Sequence, residues 1–455
     1  MKKQSGITLV ALVITIIILL ILAGVALSTL TGDDSIIKNA RTAVGDYNAK
    51  QDEERAVLNS IAGYLEQHMT NGGNNPPAAG GLTPLTGTAE VNASGLATKK
   101  TLIKPNANSD VQIVIPEGWA PAILTGSTST TSSPGQNGSV ASIMAADQWK
   151  NITEEQINQG IVIVDHAITY DNGQATGTVP DFNEFVWVPI HDSDDFDREA
   201  WTTQYGYDAN GNWGDGGETG RTHLLAEEST TNKFWEDKTT TEYTNMVSSV
   251  EQHKGFYIGR YEASVNGTIA QIKRGQQPKV EISQTDSITA CTSNTAIPNM
   301  HLMYGIEWDS TLNWLKGNAT IASSTAGATK TMGLDDIQTN STTWGNYFNS
   351  TGDAATGKGV LQNTGFSEYW KANNIYDLAG NVYEWTQEKY STGDLRAVRG
   401  GIYCYGYGFD GPAALRDSVT AGGTNGGLRF QSQLLLVALT FGMKNCNMSH
   451  TRVYR

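Results

Sequence analysis

NIYDLAGNVYEWTQEKYSTGDLRAVRGG, residues 374–401, is the stretch that decides the fold of this chain. Its first half concentrates turn-forming residues, because Gly380 and Asn381 tolerate backbone angles that most side chains refuse. Glu384 then stands between a tyrosine and a tryptophan, and a carboxylate among apolar groups needs a cation, backbone donors or an arginine such as Arg399. The stretch therefore predicts a tight turn within a large β-rich domain.

The composition indicates a loop-rich protein with an aromatic core. The 455 residues are enough for two or three domains, and they include 49 Gly, 11 Trp and 18 Tyr with 17% charged residues. The net charge of −15 is spread without a basic stripe, so we expect no nucleic acid partner. The three cysteines, Cys291, Cys404 and Cys446, have no metal-ligand spacing and predict no disulfide framework, so they leave the redox compartment open.

The N-terminal segment predicts a membrane helix over residues 7–27. This apolar run follows two lysines and has the length with which one helix crosses about 30 Å of hydrocarbon. The lysines favour a cytoplasmic N-terminus, which would place the rest of the chain outside the cell. A cleaved secretory signal is the main alternative, but its apolar core is shorter, about 7–15 residues. We expect a protein of the cell membrane with an extracellular C-terminal part.

The sequence KKQSGITLVALVITIIILLILAGVAL resembles the class III leader of type IV pilins and pseudopilins. The resemblance implies that a prepilin peptidase removes residues 1–6 by cutting after Gly6, which makes Ile7 the mature N-terminus. It also implies pilin-type assembly subunits as partners. Family members usually carry a glutamate at the fifth mature position, where this chain has Ala11. That departure suits a minor subunit at a pilus tip, or a plain membrane anchor, better than a subunit of the filament body.

Beyond the apolar run the chain changes character several times. Apolar residues recur at three- and four-residue steps within residues 28–70, which predicts an amphipathic stalk helix. The segment NGGNNPPAAGG then ends the helix and opens a linker over residues 71–110. Strand-like segments at 111–115 and 160–164 predict a small β-rich lead-in over residues 111–182.

The segments that follow predict buried elements. Residues 183–190 and 254–265 are rich in β-branched and aromatic side chains and predict strands. Residues 306–315 carry Trp308 and Leu312 at helical spacing, which predicts a short core helix.

Six motifs of the chain together carry a second resemblance. They occur in the order seen in the formylglycine-generating-enzyme (sulfatase-modifying factor) branch of the C-type lectin fold, over residues 183–430: FVWVPI, GFYIGRYEAS, the tryptophan-containing helix, NIYDLAGNVYEW, RGGIY and GLRF. The resemblance implies an α+β protein. Its parts would be an N-terminal transmembrane and stalk helix, a β-rich region, and a C-type lectin fold domain with many loops.

In the enzymes of this branch, a calcium ion is bound around the GN-x-x-EW turn. Carried over by position, this implies Asp377 and Glu384 as side-chain ligands and the carbonyls of Gly380 and Val382 as backbone ligands. Hard oxygen ligands of this kind suit calcium. The alternative is that Glu384 pairs with Arg399 or with backbone N–H groups.

The same enzymes use a cysteine pair just after the RGG segment to hold copper and engage a substrate thiol. This chain has Cys404 there and no second cysteine nearby. One cysteine cannot supply two soft ligands for Cu(I), so we expect no copper and no enzymatic activity. An oxidase of the formylglycine-generating type is the alternative.

The stretch after Gly401 favours ligand binding instead. Residues 402–411 are rich in Tyr and Gly, which give a large contact area at low entropic cost, although alternate aromatic residues could also be the core of a strand. In this fold the stretch faces ligands, and it is diversified in variable proteins of diversity-generating retroelements. The candidate ligand-binding residues are Tyr403, Tyr405, Tyr407, Phe409, Asp410, Arg416 and Asp417.

Taken together, these patterns predict an adhesin-like protein that displays a binding head at the cell surface or on a pilus. Its expected ligand is an external protein or glycan. A purely structural minor pilin is a further alternative. Residues 431–455 form a C-terminal extension with an apolar run too short to span a membrane, and no role is predicted for it.

Overall fold

The chain divides between Pro76 and Pro77 into two units, and all of the described residues lie in the second, Pro77–Arg455. In the computed structural model the described residues are 82–106, 109–125, 140–165, 170–171, 174–175, 182–203, 221–222, 224–231, 233–294, 296–297, 299–391, 393–404, 411–421, 427–428, 430–432 and 441–442. The predicted leader, membrane helix and stalk, including Gly6 and Ile7, lie outside these ranges. No helix within the described ranges is both long enough and apolar enough to cross a membrane.

The described part is a mixture of helices and mainly antiparallel strands, which confirms the α+β class. The α-helices in it are α1 (Glu154–Asn158), α2 (Thr241–His253), α3 (Gln284–Thr292), α4 (Gly305–Leu315) and α5 (Leu334–Gln338). Short 3₁₀ helices occur at Trp149–Asn151, Ser193–Asp195 and Gly352–Ala355.

Helix α4 is the core helix that the sequence predicts. Ten of its eleven residues are buried, because the side chains of Trp308, Leu312 and Leu315 pack inside the molecule. The N-terminus of α4 is fixed by Glu307, whose carboxylate accepts the Tyr304 N–H at 2.8 Å. Such local acceptors satisfy donors that the first helical turn leaves open.

The largest sheet has seven strands in the order β16-β25-β12-β8-β5-β3-β4, and its neighbouring strands are antiparallel. The strands are β3 (Ala120–Thr125), β4 (Val140–Ile143), β5 (Val162–Val164), β8 (Glu184–Pro189), β12 (Gly255–Gly259), β16 (Met300–Leu302) and β25 (Phe430–Ser432). Strands β3 and β5 come from the predicted lead-in, while β8 and β12 come from the predicted lectin-type domain. The boundary expected at residues 182/183 therefore runs through one continuous sheet.

A second sheet contains most of residues 384–399, the second half of the stretch that decides the fold. Its order is β11-β21-β22-β23, with β24 paired in parallel to β21. The strands are β11 (Phe234–Trp235), β21 (Glu384–Tyr390), β22 (Leu395–Arg399), β23 (Arg416–Thr420) and β24 (Gly427–Leu428). The register places Glu384 opposite Arg399 and Arg399 opposite Arg416, and a bulge interrupts β21 between Trp385 and Lys389.

The remaining strands form two-stranded pairs. They are β1 (Thr101–Ile103) with β2 (Ile113–Ile115), β6 (Tyr170–Asp171) with β7 (Gln174–Ala175), β9 (Thr202–Thr203) with β10 (Arg221–Thr222), β13 (Ser264–Asn266) with β14 (Ile269–Gln271), β15 (Lys279–Val280) with β26 (Phe441–Gly442), β17 (Thr320–Ala322) with β18 (Thr329–Thr331), and β19 (Lys371–Ala372) with β20 (Ile375–Tyr376).

The core is built on aromatic side chains, as the composition indicates. The tryptophans that are less than 2% exposed are Trp149, Trp187, Trp201, Trp308, Trp344, Trp370 and Trp385. Trp187 and Tyr257, on the paired strands β8 and β12, meet edge to face with ring centroids 4.9 Å apart. Large aromatic rings supply much buried area each, which suits a fold in which long loops must be held by a small number of regular elements.

Candidate functional site

The turn between β20 and β21 has the backbone that its sequence predicts. Asp377, Gly380 and Asn381 all have positive φ angles, of 56°, 73° and 55°. A Cβ at Gly380 would lie 2.2 Å from the carbonyl oxygen of Asn346, so glycine is required here for close approach as well as for backbone conformation. The turn is thereby packed directly against the neighbouring chain at Asn346.

Asn381 joins several segments through buried hydrogen bonds. Its side-chain amide donates to Glu262, and its Oδ1 accepts from Gln362 N–H at 3.1 Å and from Asn346 Nδ2 at 2.9 Å. Its carbonyl accepts the Tyr403 N–H at 3.1 Å. The turn therefore fixes the backbone at the start of the stretch predicted to bind ligand.

The predicted calcium ligands all lie in this turn or at the start of β21. Asp377 and Glu384 are fully buried, and Asp377 Oδ2 accepts the Gly365 N–H at 2.9 Å. The carbonyl of Gly380 accepts the Val382 N–H at 2.7 Å. Calcium takes six to eight oxygen ligands, and the described residues contain no group of three or more His, Cys, Asp or Glu side chains that could hold a metal ion. The calcium assignment stays a prediction.

The sequence offers Arg399 as an alternative partner of Glu384. In the structure, the guanidinium group of Arg399 donates its hydrogen bonds to other groups. Its Nε donates to the carbonyl of Leu415 at 2.9 Å, and its two terminal nitrogens donate to Glu388 and Asp309. Arg399 thus belongs to a larger group of buried charges, which we call the ion network: Arg198, Glu236, Asp309, Glu388, Arg399 and Arg416.

Two carboxylates lie at the centre of the ion network. Glu388 accepts from Arg399 Nη1 at 2.7 Å, from Arg416 Nε at 2.6 Å and from Arg198 Nη2 at 2.7 Å. Asp309, on α4, accepts from Arg399 Nη2 at 2.5 Å and from Arg416 Nη2 at 2.6 Å. Two arginines on the paired strands β22 and β23 therefore bridge the same two carboxylates. Each of these hydrogen bonds joins two charged groups, and such bonds are stronger than those between neutral groups.

The carboxylate of Asp309 accepts further hydrogen bonds besides those from the two arginines. Its Oδ1 also accepts from the indole N–H of Trp201 at 2.8 Å, and its Oδ2 accepts from the Glu199 N–H at 3.1 Å. The carbonyl of Glu199 in turn accepts from Arg416 Nη1 at 3.2 Å. The ion network consequently ties α4, three strands of the second sheet and the segment around residue 200 into one unit.

Glu236 is a buried carboxyl group of the ion network that lies against the start of α4. Its Oε1 accepts the N–H groups of Gly305 and Ile306 at the start of α4, and its Oε2 lies 3.5 Å from Arg198 Nε. Burial raises the pKa of Glu236 to about 7, and the negative charge of Glu388 adds to the rise while Arg198 opposes it. This carboxyl group changes its charge near neutral pH.

The pKa of Glu388 is shifted in the opposite direction from that of Glu236. Burial alone would raise the pKa of its carboxyl group, but the Arg416, Arg399 and Arg198 guanidinium groups hold that pKa well below its ordinary value. Glu388 also needs space beside α4, because a Cβ at Gly305 would lie 2.2 Å from its Cδ. A glycine at the first position of α4 is what lets the ion network reach the helix.

The predicted ligand-binding residues are placed differently from one another. Tyr403 is 8% exposed and packs in the core, and burial raises the pKa of its phenol. Arg416 is fully buried in the ion network, so we leave it out of the ligand-facing set. Asp417 is half-buried on β23, and its Oδ1 accepts the Ser418 N–H at 2.6 Å. The other predicted residues lie outside the described residues: Tyr405, Tyr407, Phe409 and Asp410.

Both flanks of residues 405–410 are fastened to the core. On the near side, the Tyr403 N–H donates to the Asn381 carbonyl at 3.1 Å. The next residue, Cys404, is disulfide-bonded, while Cys291 is a free and buried thiol. On the far side, the Ala413 N–H donates to Ser341 Oγ at 3.0 Å, and the Ala413 carbonyl accepts the Trp308 indole N–H at 3.1 Å. These contacts hold the two ends of the segment at fixed positions.

Sequence reasoning missed the ion network almost entirely. It singled out Arg399 and Arg416 for other roles and did not consider Glu388, Asp309 or Arg198. The available signal was EWTQEKY, in which a second glutamate follows the first at a spacing that returns to the same face of a strand. No local pattern links it to Arg198, which lies 190 residues earlier in the chain.

Comparison with known proteins adds no family to these observations. No protein-family model matches the chain, and no curated protein matches it.

Proposed function

We propose that this chain is an adhesin-like protein of the cell surface or of a pilus, in which a C-type-lectin-type head captures an external ligand. An N-terminal helix over residues 7–27 anchors it in the membrane, and the head is extracellular. The ligand-facing region is residues 405–410 together with the half-buried Asp417, and the buried Tyr403 and Arg416 belong to the scaffold beneath it.

The observation that supports this proposal is that residues on both sides of 405–410 form hydrogen bonds with the core of the protein. On one side, the Tyr403 N–H forms a hydrogen bond with the carbonyl of Asn381 in the turn. On the other side, the backbone of Ala413 forms hydrogen bonds with the side chains of Ser341 and Trp308. Binding loops are commonly mounted on rigid scaffolds, because a fixed base lowers the entropy lost on binding while the loop sequence remains free to vary. A stretch rich in Tyr and Gly between two buried anchor points has this organisation.

The disulfide of Cys404 supports an extracellular head. Disulfides form and persist in oxidising surroundings, and they are rare in the reducing cytosol. This agrees with the topology predicted from the two N-terminal lysines. It also bears on the oxidase alternative, which requires cysteines able to bind copper, and we therefore do not adopt that alternative.

The test is ligand capture by the full-length chain reconstituted in lipid nanodiscs. The probes are an array of oligosaccharides and an array of extracellular proteins. Replacing residues 405–410 with an alternating Gly-Ser sequence of equal length should abolish capture while the anchored flanks keep the head folded. The matched control is the same replacement at residues 127–132, which should leave capture unchanged.

Two results would contradict the proposal. One is a wild-type chain that captures nothing on either array. The other is a 405–410 replacement that captures ligand as well as the wild type does. If the chain captures nothing and pili fail to assemble in cells that lack it, the structural minor pilin is the correct alternative.

A further inference from the structure

We propose that a cavity between β13, β14 and β15 is a second binding site, which takes a short neutral saccharide without a metal ion. The cavity is far in sequence from residues 402–417 and depends on none of the residues assigned above. It goes beyond the proposed function because it adds a separate site with a stated ligand class.

The cavity has a volume of about 620 Å³ and is lined mainly by polar residues. That volume is within the usual range for small-ligand sites, about 300–1,000 Å³. Its amide-bearing residues are Asn266, Gln271, Gln276 and Gln277, and Ser264 adds a hydroxyl group. We call this site the amide cavity.

The amides of this cavity are not used within the protein. In the described part of the chain, no hydrogen bond is formed by the side chains of Asn266, Gln271, Gln276 or Gln277. Asn266 and Gln277 are exposed, whereas Gln271 and Gln276 are half-buried. Each side-chain amide offers two donor hydrogens and an acceptor oxygen, so the cavity presents a dense set of both kinds.

The backbone beneath these amides is fixed. Thr364 accepts the Gln276 N–H on its Oγ1 at 3.2 Å, and its own N–H donates to the Gln276 carbonyl at 2.9 Å. The Lys279 N–H donates to the Ala263 carbonyl at 2.7 Å. Glu281, at the edge of the cavity, has a φ of 57°, a conformation that costs energy in a non-glycine residue and concentrates at functional sites. The site is therefore held in shape before any ligand arrives.

The charges around the cavity select against ionic ligands. Among its lining residues, Lys279 and Glu281 carry opposite charges and both are exposed, so the formal net charge of the lining is zero. A phosphate or sulfate group would need clustered cations. An apolar ligand would leave the amides unpaired and desolvated, which is unfavourable. Vicinal hydroxyl groups both donate and accept hydrogen bonds, and they match paired amides in number and in kind.

The experiment uses the full-length chain in a zwitterionic detergent that has no sugar headgroup, since a glucoside or maltoside would compete. An array of neutral, sialylated and sulfated oligosaccharides is probed in the presence of EDTA. We expect binding to neutral oligosaccharides that persists in EDTA. The double variant Gln276→Ala/Gln277→Ala should bind at least about tenfold more weakly, because it removes two hydrogen-bonding groups.

The matched control is Gln252→Ala, which removes an exposed amide on α2 outside the cavity. It should bind as the wild type does. The proposal is overturned if no neutral oligosaccharide binds, if EDTA abolishes binding, or if the double variant binds like the control.

The 405–410 replacement separates this inference from the proposed function. If that replacement abolishes saccharide binding and the double variant does not affect it, the ligand-facing stretch is the site and the amide cavity is not. If the double variant alone weakens binding, the cavity is confirmed independently of the stretch.

Discussion

The ion network and the amide cavity are both rich in polar side chains, but they are built in opposite ways. In the ion network, each carboxylate oxygen of Glu388 and Asp309 accepts hydrogen bonds from protein donors. In the amide cavity, the side-chain amides have no partner within the described residues. Polar groups that satisfy one another in the interior hold a fold together, whereas those left open around a cavity are available to a ligand.

We expect the ion network as a whole to add little net stability, although it contains many charge pairs. Removing charged groups from water is costly, and their attraction offsets that cost only when geometry and hydrogen bonding are good. Removing one partner is different, because it leaves the others buried and unpaired. Variants that leave a buried charge unpaired should therefore lose the most stability.

The largest effect is expected from Arg399→Met. The variant leaves Glu388 and Asp309 each without one buried partner, so the free energy of unfolding should fall by about 3–5 kcal/mol. Urea unfolding of the full-length chain, followed by tryptophan fluorescence, measures this change.

Arg396→Met is the matched control on the same strand, β22. Arg396 is half-buried and lies 3.3 Å from the largely exposed Asp394, so its loss should cost less than about 1 kcal/mol. Equal losses for the two variants would show that the ion network has no special role.

An effect of intermediate size is expected from pH, through Glu236. Its pKa rises from 4.5 to about 7 on folding, so the folded state binds this proton more tightly than the unfolded state does. The stability that this adds is complete below about pH 4.5 and is lost as pH rises through about 7, and the shift corresponds to about 3 kcal/mol. Glu388 acts in the opposite direction at lower pH, because its pKa is depressed by the three arginines.

Glu236→Gln isolates this effect, since the amide is neutral at every pH but still offers an oxygen to the Gly305 N–H. Relative to wild type, the variant should gain about 3 kcal/mol of stability between pH 4.5 and pH 8. Urea midpoints measured at a series of pH values test this. A difference between variant and wild type that does not change with pH would contradict it.

The smallest effect is expected in the amide cavity. Gln276→Ala/Gln277→Ala should change the free energy of unfolding by no more than about 0.5 kcal/mol, because neither side chain has a partner in the described part of the chain. The same urea titration applies. A loss above about 2 kcal/mol would mean that these amides are structural, and the comparison with the ion network would fail.

Parts of the fold were readable from local sequence. Helix α4 and strand β8 were predicted within one residue at each end, because their apolar and aromatic patterns are strong and both elements are buried. The segment predicted as one strand over residues 254–265 forms two strands, β12 and β13, and the buried Arg260 and Glu262 lie between them.

Other parts could not be read in this way. Helices α2 and α3 were not predicted, because TEYTNMVSSVEQH and QTDSITACT contain many Ser and Thr residues that obscure helical periodicity. In the structure, their N-terminal caps at Thr240 and Ser283 and the packing of one apolar face determine the helices. The amide cavity was equally hidden, since its amides come from β13, from β14 and from the segment between β14 and β15.

The sequence by itself determined the turn around Gly380 and Asn381, the aromatic core, helix α4 and strand β8. These depend on backbone preferences and on apolar pattern, which are properties of neighbouring residues. The tertiary structure alone decided that Arg416 is buried, that Arg399 pairs with Glu388 and Asp309, and that Glu236 titrates near neutral pH. Those outcomes depend on burial and on groups contributed by segments up to 217 residues apart, and no local pattern encodes that proximity.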